Sequence, residues 1–272
     1  MRSSRPNALL VLAAAIVLAL FATSCGDDDD DGDGAGGGGG RTLTVGSDVP
    51  YPPFEQGKAP NYTGFDVELV EAMAERIGRT AEFQDTSFDT IFRDLAQGKF
   101  EMVASATTIT PEREENVDFT DPYYLSEQAL LVKEGSDLES VEDLEGMTVG
   151  VQQGTTGQEF SEDETGAADV RAYPEGPDAV NALNAGTVDA VVIDLPVAED
   201  AVSKQGGVEI STSIPTDEQY GFVVAQGEEE LLNELNEALK EIKDDGTYAE
   251  IYERWFKRAP PKEVLEATHE AA

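Results

Sequence analysis

The chain is short of the residues that much catalytic and metal-binding chemistry uses. It has one cysteine, Cys25, and one histidine, His269, among 272 residues. A lone cysteine cannot close an internal disulfide. With a single histidine in a polar terminal stretch, Cys-His or Ser-His catalysis and histidine-rich metal sites are not expected. Basic residues are scarce too: 18 Lys and Arg stand against 56 Asp and Glu, for a formal net charge of −38. Nucleic-acid binding needs cations that displace phosphate counterions, so a nucleic-acid partner is excluded. The main apolar run, 8–22, has fifteen residues, fewer than the roughly 20 of a spanning helix. No period of about 20 to 50 residues marks a solenoid. What is present, 40% hydrophobic and 7% aromatic residues, suits a globular protein with one large or two small domains.

Arg2 and Arg5 precede the 8–22 run, and the small residues Ala22, Thr23 and Ser24 lead directly to Cys25. That order reads as an export signal over 1–24. A cysteine at this exit resembles the bacterial lipobox, whose cysteine receives a diacylglycerol thioether and becomes the mature N-terminus. Cys25 is therefore the lipidation candidate; an uncleaved anchor or an ordinary signal with an incidental cysteine is the alternative. Both readings place the rest of the chain outside the cytoplasmic membrane, in a periplasm or on the cell surface. Residues 26–40 are only Gly, Asp and one Ala, so 25–40 reads as the anchored cysteine and a flexible tether. The acidic run 27–31 is contiguous and lacks the spaced ligands of a calcium loop, so no metal site is expected there.

Between 41 and 260 the pattern alternates. Short buried strands are predicted at 42–46, 81–83, 102–104, 148–151, 170–173 and 190–193. Helices are predicted at 65–77, 88–96, 156–162, 177–185 and 197–204. A stripe of Leu231, Leu232, Leu235, Ala238, Leu239 and Ile242 marks a further helix ending at Gly246, and 248–256 forms another. The fold class is therefore α/β with largely parallel sheets. The strand–helix order starts afresh near 143–150, which marks a second lobe.

Three loops follow strands, where α/β folds bind ligands. In the first, Gly46 to Glu55, three prolines stiffen the chain and would hold Asp48, Tyr51 and Phe54 in fixed places; a rigid surface turn fits the same residues. In the second, Thr110 and Pro111 form an N-cap and first turn. Arg113 then opposes the helix dipole unless an anion is bound there, and its planar donor fork matches a carboxylate. Neutralisation by the flanking glutamates is the plainer reading. In the third, Val151 to Gln158, a glycine-bearing turn could receive an oxyanion but lacks the ending of a nucleotide P-loop. The strand 188–193 ends in Asp194, placed either to accept an ammonium or to cap the next helix. Arg113 and Asp194 on different lobes would complement a zwitterion, and an α-amino acid is the simplest one.

The stretches Tyr51-Pro52-Pro53-Phe54-Glu55, Gly64-Phe65-Asp66-Val67-Glu68-Leu69, Thr108-Ile109-Thr110-Pro111-Glu112-Arg113 and Asp118-Phe119-Thr120-Asp121-Pro122-Tyr123-Tyr124 resemble the polar-amino-acid-binding proteins of bacterial ABC importers. So do Gly154-Thr155-Thr156, Gly186 to Val191, Gln219-Tyr220-Gly221 and Asp245 to Phe256. The resemblance implies a two-lobed periplasmic-binding-protein-like fold of type II, with the ligand in the interlobe cleft and two hinge crossings near 124–129 and 214–221. It implies lobe 1 at 41–126 and 220–260 and lobe 2 at 127–219; the polar stretch 261–272 is expected to be a disordered tail. By motif position Arg113 is the carboxylate clamp, assisted by the Thr108 and Ala106 backbone and the Thr156 amide. Asp194 is the ammonium acceptor, Tyr51 and Phe88 are aromatic walls, and Asp48 and Gln152 lie near the ligand side chain. Asp48 and the acidic surroundings favour neutral or basic polar side chains.

The function so implied is that of a monomeric substrate-binding lipoprotein, without cofactor or catalytic residue. It would close on an amino acid and deliver it to an ABC permease and its ATPase, held at the membrane by its lipid. Two other functions fit the same architecture: a cyclohexadienyl-dehydratase-like enzyme, and an amino-acid sensor subunit. An ammonium acceptor at Asp194 counts against the first, whose acidic substrate has no amine. The leader carries +2, the segment 25–40 carries −6 and 261–272 carries −2, which leaves −32 on the folded part. Such a field attracts cations at low salt and is screened within about 8 Å at physiological salt; adaptation to a saline habitat accounts for the same excess.

Overall fold

The computed structural model describes residues 41–269; the leader, Cys25 and the tether assigned to 1–40 lie outside them. In chain order the elements are β1 (Arg41–Ser47), β2 (Gln56–Lys58), β3 (Asn61–Thr63), α1 (Phe65–Arg76), β4 (Arg79–Asp85), α2 (Ile91–Ala96), β5 (Met102–Val103), α3 (Pro111–Glu114) and β6 (Val117–Phe119). They continue with β7 (Tyr124–Lys133), β8 (Thr148–Gln152), α4 (Thr156–Glu164), β9 (Asp169–Tyr173), α5 (Gly176–Ala185), β10 (Ala190–Asp194) and α6 (Leu195–Lys204). The chain ends with β11 (Val208–Tyr220), β12 (Val223–Ala225), α7 (Glu229–Asp244), α8 (Thr247–Phe256) and α9 (Lys262–Glu266).

Two five-stranded sheets result, ordered β4-β1-β5-β12-β6 and β11-β7-β10-β8-β9, each the centre of one lobe. The chain enters the second lobe along β7 and returns along β11. These strands pair antiparallel from Tyr124 opposite Tyr220 to Lys133 opposite Val208. Their register slips between Ile214 and Glu218, where Asp217 takes φ 51°.

Both sheets are mixed, against the expectation of largely parallel ones. Strands β4, β1 and β5 run parallel, as do β10, β8 and β9, whereas β12, β6, β7 and β11 pair antiparallel with their neighbours. Parallel neighbours need a crossover, usually a helix; the strands that carry the chain between the lobes return without one.

Three local expectations change. The helix predicted at 88–96 divides into a 3-10 turn, Phe88–Thr90, and α2. Strand β9, predicted buried, is the exposed edge of its sheet and pairs only with β8. Within the expected disordered tail, residues 261–269 are ordered: Val264 on α9 is fully buried, which supplies the apolar contact that a disordered tail lacks. His269 donates its backbone N–H to Asp121 Oδ1 at 2.8 Å, and its ring Nε2 meets Glu114 Oε1 at 2.9 Å.

The core of the first lobe joins Leu43 and Val45 of β1 to Leu69, Val70 and Met73 of α1 and to Leu235, Leu239 and Ile242 of α7. The helical residues recur at three- and four-residue intervals, and burying each contributes about 1.5–3 kcal/mol. Phe54 reaches from the proline-rich loop into this core. Its ring lies 5.1 Å from Tyr124 and 5.4 Å from Tyr220, edge to face. The loop after β1 is thereby fastened to both crossing strands.

Candidate functional site

Between the lobes lies a narrow, nearly closed cavity. From the first lobe it takes Asp48 and Tyr51 after β1, Phe88 from the 3-10 turn, Ser105, Ala106 and Thr108 after β5, and Arg113 of α3. The second lobe adds Gln152 at the end of β8, Thr155 and Thr156 at the start of α4, and Asp194 at the end of β10. All nine residues singled out by sequence thus meet here, joined by Ser105 and Thr155. An open groove of about 970 Å³ lies elsewhere, and one of about 1250 Å³ adjoins the cavity, sharing Arg113 and Thr155 with it. The smaller cavity is distinguished by buried charges that converge on it.

Arg113 is the cation. Its backbone N–H is held by Thr110 Oγ1 at 3.3 Å, its Nη1 donates to the Thr108 carbonyl at 2.7 Å, and its Nη2 donates to the Gly154 carbonyl of the other lobe at 3.3 Å. The guanidinium carbon sits 5.4 Å from the ring centres of both Phe88 and Phe92, a distance for cation–π attraction. Burial lowers its pKa, and the charges of Glu218, Glu159 and Asp194 oppose that shift. The dipole argument made from sequence does not hold, because α3 is one turn of four residues. Carbonyls and two aromatic faces position the guanidinium instead. Phe92 was not anticipated; its signal is a second phenylalanine one helical turn after Phe88.

Asp194 lines the same cavity from the second lobe, at the end of β10. Its Oδ2 accepts from Tyr51 Oη and its Oδ1 from Gln128 Nε2, both at 2.5 Å. Burial and then the neighbouring Glu218 charge push its pKa up to about 7, against the hydrogen bonds from Tyr51, Tyr220 and Gln128. It precedes α6, but its side chain makes no capping bond, so the helix-cap role is not the one it performs.

Asp48 is 4% exposed and accepts from Gln152 Nε2 at 2.5 Å. Burial pushes its pKa up to about 7, the Gln152 bond counters this, and Glu175 and Asp85 add to it. Gln152 also reaches the Pro174 carbonyl at 3.3 Å. The Asp48 backbone N–H donates to Ser105 Oγ at 3.0 Å, and Ser105 in turn donates to Glu55 Oε1 at 3.0 Å.

Beneath the cleft, Glu55 and Asp66 are wholly buried. Asp66 Oδ2 accepts from Tyr123 Oη at 2.6 Å and from the Ala106 N–H at 2.9 Å. That N–H was expected to help hold a ligand carboxylate. It turns inward because Ala106 takes φ 44°, a conformation that the Asp66 bond holds in place. Burial pushes Asp66 up to about 7 and Glu55 well above the usual carboxylate range, with the Asp66 charge next in effect on Glu55. The first N–H groups of α4, at Thr155 and Thr156, have no intrahelical acceptor and are free for an oxyanion.

Two glycines permit the close approach of the lobes. A Cβ on Gly176 would lie 2.9 Å from Tyr51 Cε2, and one on Gly154, at φ 79°, would lie 3.3 Å from Asp89 Cα. Gln128 and Glu218 also went unanticipated. Each is a polar side chain on a crossing strand, and a glutamine preceding Ala129-Leu130-Leu131-Val132 is the signal in the sequence.

The geometry has counterparts. Residues 43–258 match the family described as bacterial extracellular solute-binding proteins, family 3. The L-cystine-binding protein TcyJ of Escherichia coli (strain K12) is 32% identical over 250 residues, covering 90% of this chain and 93% of that protein. An ancestral arginine-binding protein bound to arginine superposes with a TM-score of 0.76 at 40% identity, over 79% of this chain and 98% of that one. The ancestral amino acid-binding protein AncCDT-1, a precursor of cyclohexadienyl dehydratase, gives 0.74 at 40% identity, over 79% of this chain and 95% of that one.

Proposed function

The chain belongs to the bacterial extracellular solute-binding proteins, family 3, and on that premise we propose that it captures a polar, neutral or basic L-amino acid between its lobes for an ABC importer. The observation that carries this reading is the placement of Arg113 and Asp194 on opposite lobes of one cavity. A guanidinium takes the ligand carboxylate in two parallel bonds, Asp194 takes its ammonium, and the N–H groups of Thr155 and Thr156 support the carboxylate. Phe88 and Tyr51 wall the cleft. Asp48, presented by Gln152, faces the side chain and favours a cationic one.

Contacts from both lobes exist together only in the closed form, so an amino acid shifts the population toward closure. The closed protein then docks on a permease driven by its ATPase. Cys25 would tether it, as a monomer, to the outer side of the cytoplasmic membrane; among the described residues no helix is long and apolar enough to cross one.

Isothermal titration of the chain with the twenty amino acids tests the assignment. At least one should bind with micromolar affinity or better, and Arg113→Ala should abolish that binding. A panel without a ligand, or full retention in the variant, would overturn it. Incubation with a prephenate-like acid separates the enzymatic alternative, for which turnover would be required; the amino-acid reading predicts none.

A further inference from the structure

Glu218 lines neither wall of the cleft, yet both charges of the cleft are referenced to it. It sits on β11 just past the register slip, 7% exposed, with Asp217 at φ 51° before it. Its Oε2 accepts from Thr108 Oγ1 at 2.6 Å and from Thr156 Oγ1 at 3.2 Å. Its Oε1 accepts from Gln128 Nε2 at 2.9 Å and from Thr216 Oγ1 at 3.1 Å. Four donors on two oxygens match the capacity of a carboxylate.

Three of these donors come from different parts of the molecule, and the fourth, Thr216, shares β11 with Glu218. Thr108 belongs to the first lobe, and its carbonyl holds Arg113 at 2.7 Å. Thr156 belongs to the second lobe and begins α4. Gln128 lies on the other crossing strand and donates to Asp194 at 2.5 Å. Moving the lobes apart separates Thr108 from Thr156, and Oε2 can then keep only one of them.

We propose that Glu218 is a closure latch: a positioning residue that bridges Thr108 and Thr156 in the closed form and, through Gln128, aims Asp194 at the ligand ammonium. The proposal rests on the amino-acid-binding reading of the cleft. In an ion-assisted buried network the bonds lost on opening are stronger than neutral ones. The latch therefore acts on ligand release: the closed complex is what it stabilises, while the encounter with the open form is unaffected.

The test uses the full chain with L-arginine and L-glutamine as probes, measured by stopped-flow and by small-angle X-ray scattering with and without each probe. Glu218→Ala should speed dissociation of the bound probe about tenfold or more, the scale of a lost charged hydrogen bond, with the association rate unchanged. Thr156→Val should speed it less. The double variant should fall short of the product of the two, since both remove one interaction. Glu218→Gln, which keeps an acceptor for both hydroxyls but loses the charge and sets an NH2 group against Gln128 Nε2, should restore only part of the wild-type rate. Independent effects, or wild-type release from Glu218→Ala, would overturn the latch. If Glu218→Ala does not fold, Thr156→Val and Glu218→Gln carry the same comparison, and wild-type release from Thr156→Val would then overturn it. Should the wild-type chain bind neither probe, scattering of the unliganded proteins decides: a more open Glu218→Ala supports the latch, and an unchanged one refutes it, whatever the cleft binds.

Discussion

Tyr51 and Asp194, 143 positions apart in sequence and on opposite lobes, share a hydrogen bond of 2.5 Å from the phenol to the carboxylate Oδ2. Gln128 holds the other oxygen. Asp194 is thus aimed into the cleft from both sides, by one donor of the first lobe and one of the crossing strand. An ammonium must bind on the lone pairs that these donors leave.

Asp194→Asn should weaken an amino acid far more than its deaminated analogue. Removing one partner of a buried, hydrogen-bonded charge pair costs about 2–5 kcal/mol, and the analogue never forms that pair. Titration of both compounds against the wild type and the variant gives the comparison. Equal losses would make Asp194 a packing residue only.

Asp48 and Asp194 both titrate near neutrality, pushed up to about 7 by burial. A bound cation favours the ionised carboxylate, so binding releases protons, and affinity should rise as pH rises through about 7. On the proposed assignment L-arginine would engage both groups and L-glutamine only Asp194, so arginine should show the steeper dependence. In Asp48→Asn the arginine slope should fall to that of glutamine. Titration between about pH 5.5 and 8.5 in buffers of differing ionisation enthalpy measures both the slope and the protons released.

Gly176→Ala should impair closure without unfolding the lobes. Its new Cβ would stand 2.9 Å from Tyr51 Cε2 and 3.2 Å from Ile193 Cδ1, so either the lobes stay apart or Tyr51 leaves Asp194. Overpacking of this kind costs about 1–3 kcal/mol. The loss should appear in the affinity for every amino acid that binds, with the thermal unfolding of the unliganded protein nearly unchanged.

Stability should decline as pH rises from about 5 to about 8. Asp66 is raised to about 7 in the fold, against about 3.9 in an unfolded chain. Between those values the folded state holds the extra proton, so the slope of unfolding free energy with pH is negative. The contribution is complete below the unfolded value and lost as pH passes the folded one. Glu55, raised further, acts in the same direction. Thermal unfolding of the unliganded chain across that range should show the decline, and Asp66→Asn should make it shallower, the rest remaining with Glu55, Asp48 and Asp194.

Much of this was legible in local sequence. The alternation of apolar runs and helical stripes located β1, β5, β8, β10, α1, α4, α5 and α7, since burial demands a period of about 2 or 3.6. Thr110 and Pro111 marked the start of α3, and Thr110 does accept the Arg113 N–H. The charges of Arg113 and Asp194 are exceptional enough in their local settings to stand out. Less could be read where partners are distant. β9 has the composition of a buried strand but lies at an edge, and edge position is a property of the whole sheet. Ala106 looked like a ligand contact, but its N–H is taken by Asp66, forty positions earlier in the chain.

The sequence by itself determined the α/β class, the loops that carry chemistry and the exceptional charges of Arg113 and Asp194, because each is set by periodicity, turn residues or charge within a few positions; the other residues expected at the cleft were implied by the family resemblance. Tertiary structure alone decided that these side chains share one cavity and that Tyr51 orients Asp194. It also decided that Glu218 bridges the lobes through Thr108 and Thr156, and that burial raises the pKa of four carboxyl groups around the cleft. The reason is physical. Burial and hydrogen-bond partnership depend on which distant segments pack together, and a carboxylate's pKa follows its surroundings rather than its neighbours along the chain.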